Sequence, residues 1–339
     1  MDAFADLLRG VRANGSVFGH SILSPPWSLR FVDGAPLTLC GLLRGEGWII
    51  AEAQAPQRIT VGEAVVVRGP QPFLFVDDPA TTAPVTTDCG KHRAIPATGS
   101  TVHRLGWRAH GDPDGSTTLI VGAYPVHGDI GQRLLKALPP VLTVPVDGDT
   151  AAVREYIAAE VALDRPGQQV VLDRLLDWLL VCTLRAWFDH PETSAPAWYT
   201  ALSDPIVGEA LRLMHNDPAH PWTVAQLASR TGVSRSAFAR RFTTLVGQPP
   251  LAYLTEWRMT IASDLLIEPD ATIADVAKRM GYADAFNFSA AFKRVKGMSP
   301  SNHRSQHARP VASTRSSLSM RDQRDLPRHQ ATSRSPRPR

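Results

Sequence analysis

The segment WTVAQLASRTGVSRSAFARRFTTLVG, residues 222–247, carries an apolar pattern of helical period that stops at a glycine and resumes at once. The same pattern returns in ATIADVAKRMGYADAFNFSAAFKRVKGMSP, residues 271–300. Val224, Leu227, Ala228 and Gly232 correspond to Ile273, Val276, Ala277 and Gly281, each 49 positions later. One extra residue in the turn moves the spacing to 50, at which Phe238, Phe242, Leu245, Gly247 and Pro250 correspond to Phe288, Phe292, Val295, Gly297 and Pro300. Any short helical hairpin bent at a glycine shows the single pattern. Recurrence of core, bend and terminator together is far more restrictive and demands a duplicated supersecondary unit.

In the first copy Thr223 is expected to cap a short helix whose apolar face is Val224, Leu227 and Ala228. Gly232 supplies a tight turn where positive φ is easiest without a Cβ. Ser234 is expected to cap the second helix, with Phe238, Phe242 and Leu245 as its buried face. Arg235, Ser236, Ala239, Arg240 and Thr243 are left outward. A basic face of short side chains suits a helix entering a major groove: arginine meets guanine edges or phosphates, and small residues permit close approach and contact with thymine methyls.

Between the copies, PPLAYLTEWRMTIASDLLIEPD places Leu251, Leu254, Trp257, Ile261, Leu265 and Leu266 on a helix of about 18 residues, ended by Pro269. At ~1.5 Å per residue it spans ~27 Å. That is close to the ~34 Å turn of a duplex, so one chain is expected to present two helices to successive major grooves.

The charge distribution agrees. The formal net charge is +4, but residues 1–215 hold 17 basic and 23 acidic side chains, residues 216–304 hold 11 and 7, and residues 305–339 hold 8 and 2. The positive charge lies in the C-terminal third, which favours an anionic partner there. Residues 305–339 have few bulky apolar side chains and no periodicity, and are expected to form a disordered basic tail.

Upstream, LTLCGLL, GWIIAEA, EAVVVRG, PFLFVDD and TTLIVGAY are short extended runs separated by Gly, Pro or Asp, the punctuation of a β-sandwich or small barrel. From Asp149 the period becomes helical. Two helices of roughly 14 and 23 residues are expected around the breaker at 165–167. The second carries Val171, Leu175, Leu179, Cys182 and Ala186 on one line, with Leu172, Leu176, Leu180, Leu184 and Trp187 alongside. A stripe that wide either packs on the β-half or pairs two chains, and both readings stand.

Other features exclude function classes. No apolar run approaches the roughly 20 residues of a membrane helix, and the start MDAFADLLRGVRANG lacks the order of a secretory signal. No membrane partner and a cytoplasmic location are expected. Cys40, Cys89 and Cys182 lie too far apart for a metal knuckle, and Cys182 reads as a small core residue. His92, His103, His110 and His127 lack ligand spacing, and neither a nucleophile elbow nor a phosphate loop occurs. No catalytic or metal site and no cofactor are assigned. A DNA-repair cysteine at Cys40 or Cys89 would lack the ligands that activate a thiolate.

Residues from about 204 to 304 closely resemble the DNA-binding domain of AraC/XylS-type bacterial transcriptional regulators. The resemblance rests on both bent-helix units, on LTEWRM in the connecting helix and on GYADAFNFSAAFKRVKGMSP at the close. The preceding half looks like the cupin-type sensory domain of one branch of that family, through LLRGEGWI, GEAVVVRGPQPFLFVDDP, DPDGSTTLIVGAY and LLKALPPVL. The resemblance implies an α+β chain. A cupin-like β-barrel at 1–148 would sense a small molecule, and a helical hairpin at 149–200 would pair two chains. An all-α DNA-binding domain with two helix-turn-helix units would occupy 201–304, ahead of the tail. It implies that Ser236, Ala239 and Arg240 face bases with Arg235 near the backbone, and that Ala285, Phe286 and Ser289 do so in the second unit with Lys293 toward phosphate. Phe286 would touch thymine methyls or pack on the connecting helix. Double-stranded promoter DNA, RNA polymerase, a small effector and a second copy are the partners implied.

Two departures stand out. RGPQPFLF has no His where metal-binding cupins place one, and Ser289-Ala290 stands where family members often carry Ser-Arg. A metal-dependent cupin enzyme tethered to DNA is the alternative reading, which stoichiometric Fe, Mn or Zn in the β-half would favour.

Overall fold

The computed structural model describes residues 3–307 apart from 9–10, 12–17, 33, 53, 82–84, 89–92, 96–108, 112–113, 146–148, 164 and 194. Cys89, His92, His103 and the tail from residue 308 therefore lie outside the described residues.

The N-terminal half holds α1 (Ala3–Leu8), β1 (Phe18–Leu23), β2 (Ser28–Phe31), β3 (Leu37–Arg44), β4 (Glu46–Ala51), β5 (Gln57–Thr60), β6 (Glu63–Arg68) and β7 (Phe73–Val76). It continues through β8 (Val85–Asp88), β9 (Arg93–Ile95), β10 (Ala109–Gly111), β11 (Thr117–Tyr124), α2 (Gly128–Lys136) and β12 (Val141–Pro145). The hairpin is α3 (Asp149–Val161) and α4 (Gln168–Asp189). The rest is helical: α5 (Ala197–Thr200), α6 (Val207–Asn216), α7 (Val224–Arg230), α8 (Arg235–Val246), α9 (Pro250–Leu266), α10 (Ile273–Arg279), α11 (Ala285–Lys296) and α12 (Pro300–His307). α12 continues three residues beyond Arg304, where the expected tail begins.

The strands form two six-stranded sheets, in the orders β10-β1-β11-β3-β6-β12 and β5-β4-β7-β2-β8-β9. A closed barrel gives each strand two neighbours, whereas here β10, β12, β5 and β9 each end a sheet among the described pairings. The expected barrel is corrected to a two-sheet arrangement. Successive side chains alternate between faces. Cys40, Leu42, Val65, Val67, Leu119 and Val121 accordingly face Trp27, Phe31, Phe73 and Phe75 of the opposite sheet. Leu37, Leu39, Ala64, Val66, Ile120 and Tyr124 face the helices. Burial on both faces explains why these strands read as unbroken apolar runs.

On α4 the buried line is Leu172, Leu176, Leu179, Leu180, Leu184 and Phe188, which packs with the helix-facing side of the sheet. Val171 on the neighbouring line is exposed, as are Val170 and Trp178. Packing on the β-half is thus realised. The same core runs on through α1, α5 and α6 to Phe238, Phe242 and Trp257, whereas Met259, Leu266, Val276, Phe288 and Phe292 form a separate core.

Candidate nucleic-acid interface

Each half of the duplicated pattern folds into a helix pair with matching caps. Thr223 Oγ1 accepts from the Gln226 N–H at 3.1 Å, while the Gln226 side chain accepts from the Thr223 N–H at 2.9 Å, a closed capping box. Thr272 accepts from the Asp275 N–H at 3.1 Å in the second copy. Ser234 caps α8 through the Ala237 N–H, and Asp284 caps α11 through the Asn287 N–H at 2.7 Å. Gly232 and Gly281 take φ of 73° and 76° at the bends. At Gly281 a Cβ would also overlap the Ala219 carbonyl, so close approach as well as φ requires glycine there.

Phe238 and Phe242 are fully buried, as are Phe288 and Phe292. The third buried residue of α8 is Val246, with the expected Leu245 only half-buried. The connecting helix α9 has 17 residues and ends at Leu266, three positions before Pro269. At ~1.5 Å per residue it is ~26 Å long. Its first half, through Tyr253, Leu254 and Trp257, joins the core under α7 and α8. Its second half, through Met259, Ala262 and Leu266, joins the core under α10 and α11. Each helix pair is therefore anchored on one end of a single rigid rod.

The outward faces differ in chemistry. On α8, Arg235, Ser236 and Arg240 are exposed and Ala239 is half-buried. On α11, Phe286 and Lys293 are exposed, and Ala285 and Ser289 are half-buried, Ser289 donating to the Ala285 carbonyl at 2.7 Å. Phe286 is 81% exposed, so of its two expected placements the structure excludes packing on α9. Among the described residues no carboxylate lies within ion-pair distance of Arg235, Arg240 or Lys293. Arg241, adjacent to Arg240, is instead held by Asp204 through Nε at 2.9 Å and Nη2 at 2.5 Å. Those hydrogen bonds keep the Asp204 carboxyl below the usual carboxylate range against the opposing effect of burial, and the Val207 and Ile206 N–H groups add to the shift.

Several positioning groups went unread in the sequence. Arg258 of α9 donates to the carbonyls of Pro218 at 2.5 Å and His220 at 2.7 Å, with the Tyr282 hydroxyl beside it. It thus ties the entry of α7 to the bend of the second pair. Arg304 closes the far end of α9 on the carbonyls of Leu266 and Ala271. Arg258, which is the lone cation of the connecting helix and follows a buried Trp257 in LTEWRM, was the available signal. His215, buried and stacked on Trp257 at 4.3 Å, lies 2.8 Å from both Asp6 and the Tyr253 hydroxyl, joining α1, α6 and α9.

A helix-turn-helix family model matches residues 227–306, across both pairs, and a cupin family model matches residues 2–189. An AraC-like transcription regulator from Streptomyces lividans is 32% identical over 315 residues, covering 91% of this chain and 100% of that protein. The chain belongs to the AraC-like transcription regulators. A second AraC-like regulator, from Streptomyces antibioticus, is 30% identical with the same coverage of both chains. The DNA-binding domain of the global transcriptional factor AdpA, solved with a target DNA, is 32% identical over 31% of this chain and 94% of that one, with a TM-score of 0.30. The regulator is thus a DNA-binding protein of mixed α+β fold, with a sheet-rich cupin half and a helical helix-turn-helix half, and its relatives are transcription regulators, not enzymes. Among the described residues no three His, Cys, Asp or Glu side chains are grouped to hold a metal ion, and no helix is long and apolar enough to cross a membrane.

Proposed function

We propose that the regulator grips promoter DNA with two helix-turn-helix units, α7–α8 and α10–α11, placing α8 and α11 in successive major grooves. The observation that carries this is the pair of outward helix faces, matched in the repeat at Ser236–Phe286 and Ala239–Ser289, whose cations Arg235, Arg240 and Lys293 have no carboxylate partner among the described residues, set on one rod of ~26 Å. Ser236, Ala239 and Arg240 would meet bases and Arg235 the backbone. Ala285, Phe286 and Ser289 would do the same on α11, with Phe286 against thymine methyls and Lys293 on phosphate. The domains would divide as 1–148, 149–200, 201–304 and 305–339. The sensory half would take a small effector and shift the balance between two arrangements of the molecule. Pairing of two chains would use the exposed Val170, Val171 and Trp178 of α4, and RNA polymerase would be met at the promoter, in the cytoplasm.

The test is genome-wide footprinting of the tagged full chain, followed by competition of a footprinted duplex against random sequence. Preference for the footprinted duplex, lost in part when either half of it is scrambled, is expected. Equal binding to random competitor would reject the reading. For pairing, Trp178→Asp should convert a dimer to a monomer in sedimentation.

A further inference from the structure

Helix α2 of the sensory half lies on α9, and its N-terminus is capped from across that contact. The Asp264 carboxylate accepts from the N–H groups of Asp129 at 2.6 Å and Ile130 at 3.3 Å, while the local cap residue His127 contributes no side-chain bond. Gly128 is needed for this approach, since a Cβ there would overlap the Asp264 carboxylate. One turn further along α2, Arg133 donates to Glu256 at 3.2 Å and lies 5.4 Å from the Tyr253 ring. Asp129 itself accepts from Lys296 Nζ at 2.7 Å, at the end of α11. Their side chains are 33% and 19% exposed. Burial pushes the Asp129 carboxyl up, and Lys296, the Ser263 hydroxyl and His303 together pull it down, leaving it below the usual range.

The two helix pairs are held to the sensory half by different physics. The first shares a continuous apolar core with it. Among the described residues, the core of the second contains none from the sensory half. Among the described residues, Asp129–Lys296 is the ion pair that joins the sensory half to α11. A polar tie of this kind is weak beside a shared core and is easily exchanged for another partner.

We propose that Asp129 is a positioning residue for DNA recognition: through Lys296 it holds the C-terminal end of α11 against α2, so that the sensory half sets how much the second helix pair adds to binding. This rests on the reading of α11 as a base-reading helix.

The test uses the full chain and two duplexes, the footprinted site and the same site with one half scrambled. The scrambled half is the one that Arg240→Ala does not affect. The readout is the ratio of the two affinities, in which a charge effect common to both duplexes cancels. Asp129→Asn should lower the ratio by about tenfold, an ordinary size for coupling between sites. Lys296→Gln should do the same, Asp129→Glu should retain the wild-type ratio, and Arg133→Met should leave it unchanged. If the wild-type protein ignores the scrambling, the reading of α11 falls and the proposal with it. If it discriminates and Asp129→Asn discriminates equally, the proposal alone is overturned. An equal loss in Arg133→Met would reassign the effect to general loosening of α2 and overturn the role of Asp129.

Discussion

Arg240 and Arg241 are neighbours on α8, yet among the described residues the first side chain has no partner and the second is locked on Asp204. The unpaired one has its full hydrogen-bonding capacity for a base or phosphate. Arg240→Ala should therefore weaken binding to the footprinted site by about 1 to 3 kcal/mol and relax discrimination at one base position, as titration of a labelled duplex at fixed salt would read. Unchanged affinity would remove Arg240 from the interface. Asp204 belongs to stability. It accepts from the Ile206 and Val207 N–H groups at the start of α6, and loss of such a cap costs about 1 kcal/mol. The half-exposed Arg241 adds less than the cap does. Because the folded carboxyl titrates below its unfolded value, the contribution is complete above about pH 4 and is lost as pH falls through the depressed folded value. The stability difference between wild type and Asp204→Ala should accordingly narrow in urea melts taken below that pH. Phe286→Ala should leave stability within about 0.5 kcal/mol, since so exposed a ring packs on nothing, and should weaken binding only to sites with thymine at the contacted step.

At the scale of elements, the two bends look equivalent in sequence and differ in space. Both glycines have positive φ, so alanine is strained at either. Around Gly232 a Cβ would meet nothing within 4 Å, whereas at Gly281 it would meet the backbone of Ala219. Gly281→Ala should therefore destabilise more than Gly232→Ala, by about 1 to 3 kcal/mol, the usual cost of overpacking, measured by urea unfolding. Equal losses would mean that the loop before α7 yields freely and that Arg258 does not hold it. The caps Thr223 and Ser234 were legible because each is a bond between residues three apart, as at Thr223 and Gln226. Buried lines were less so: on α8 Val246 rather than the expected Leu245 is the third buried residue.

Taken whole, the regulator carries its net positive charge in residues 216–339, the third that includes the two outward faces, and its affinity for DNA should fall steeply with salt, log K changing by about 0.9 per log unit for each phosphate neutralised. Lys293→Ala should reduce that slope by about 1 without altering sequence preference. An altered preference would place Lys293 on a base. The sequence by itself determined the duplicated helix pair and its bends, the caps Thr223 and Ser234, the strands β3, β4, β6, β7 and β11 and the family, because periodicity and capping are settled within a few residues of chain. Only the tertiary structure decided which charges are available. Asp204 reaches Arg241 across 37 positions and Asp129 reaches Lys296 across 167. It likewise decided that Leu172, Leu176 and Leu180 rather than Val171 meet the sheet, and that the strands end in two open sheets. Ion pairing, burial and strand neighbours are properties of groups brought together by folding, and local pattern carries no record of partners so distant along the chain.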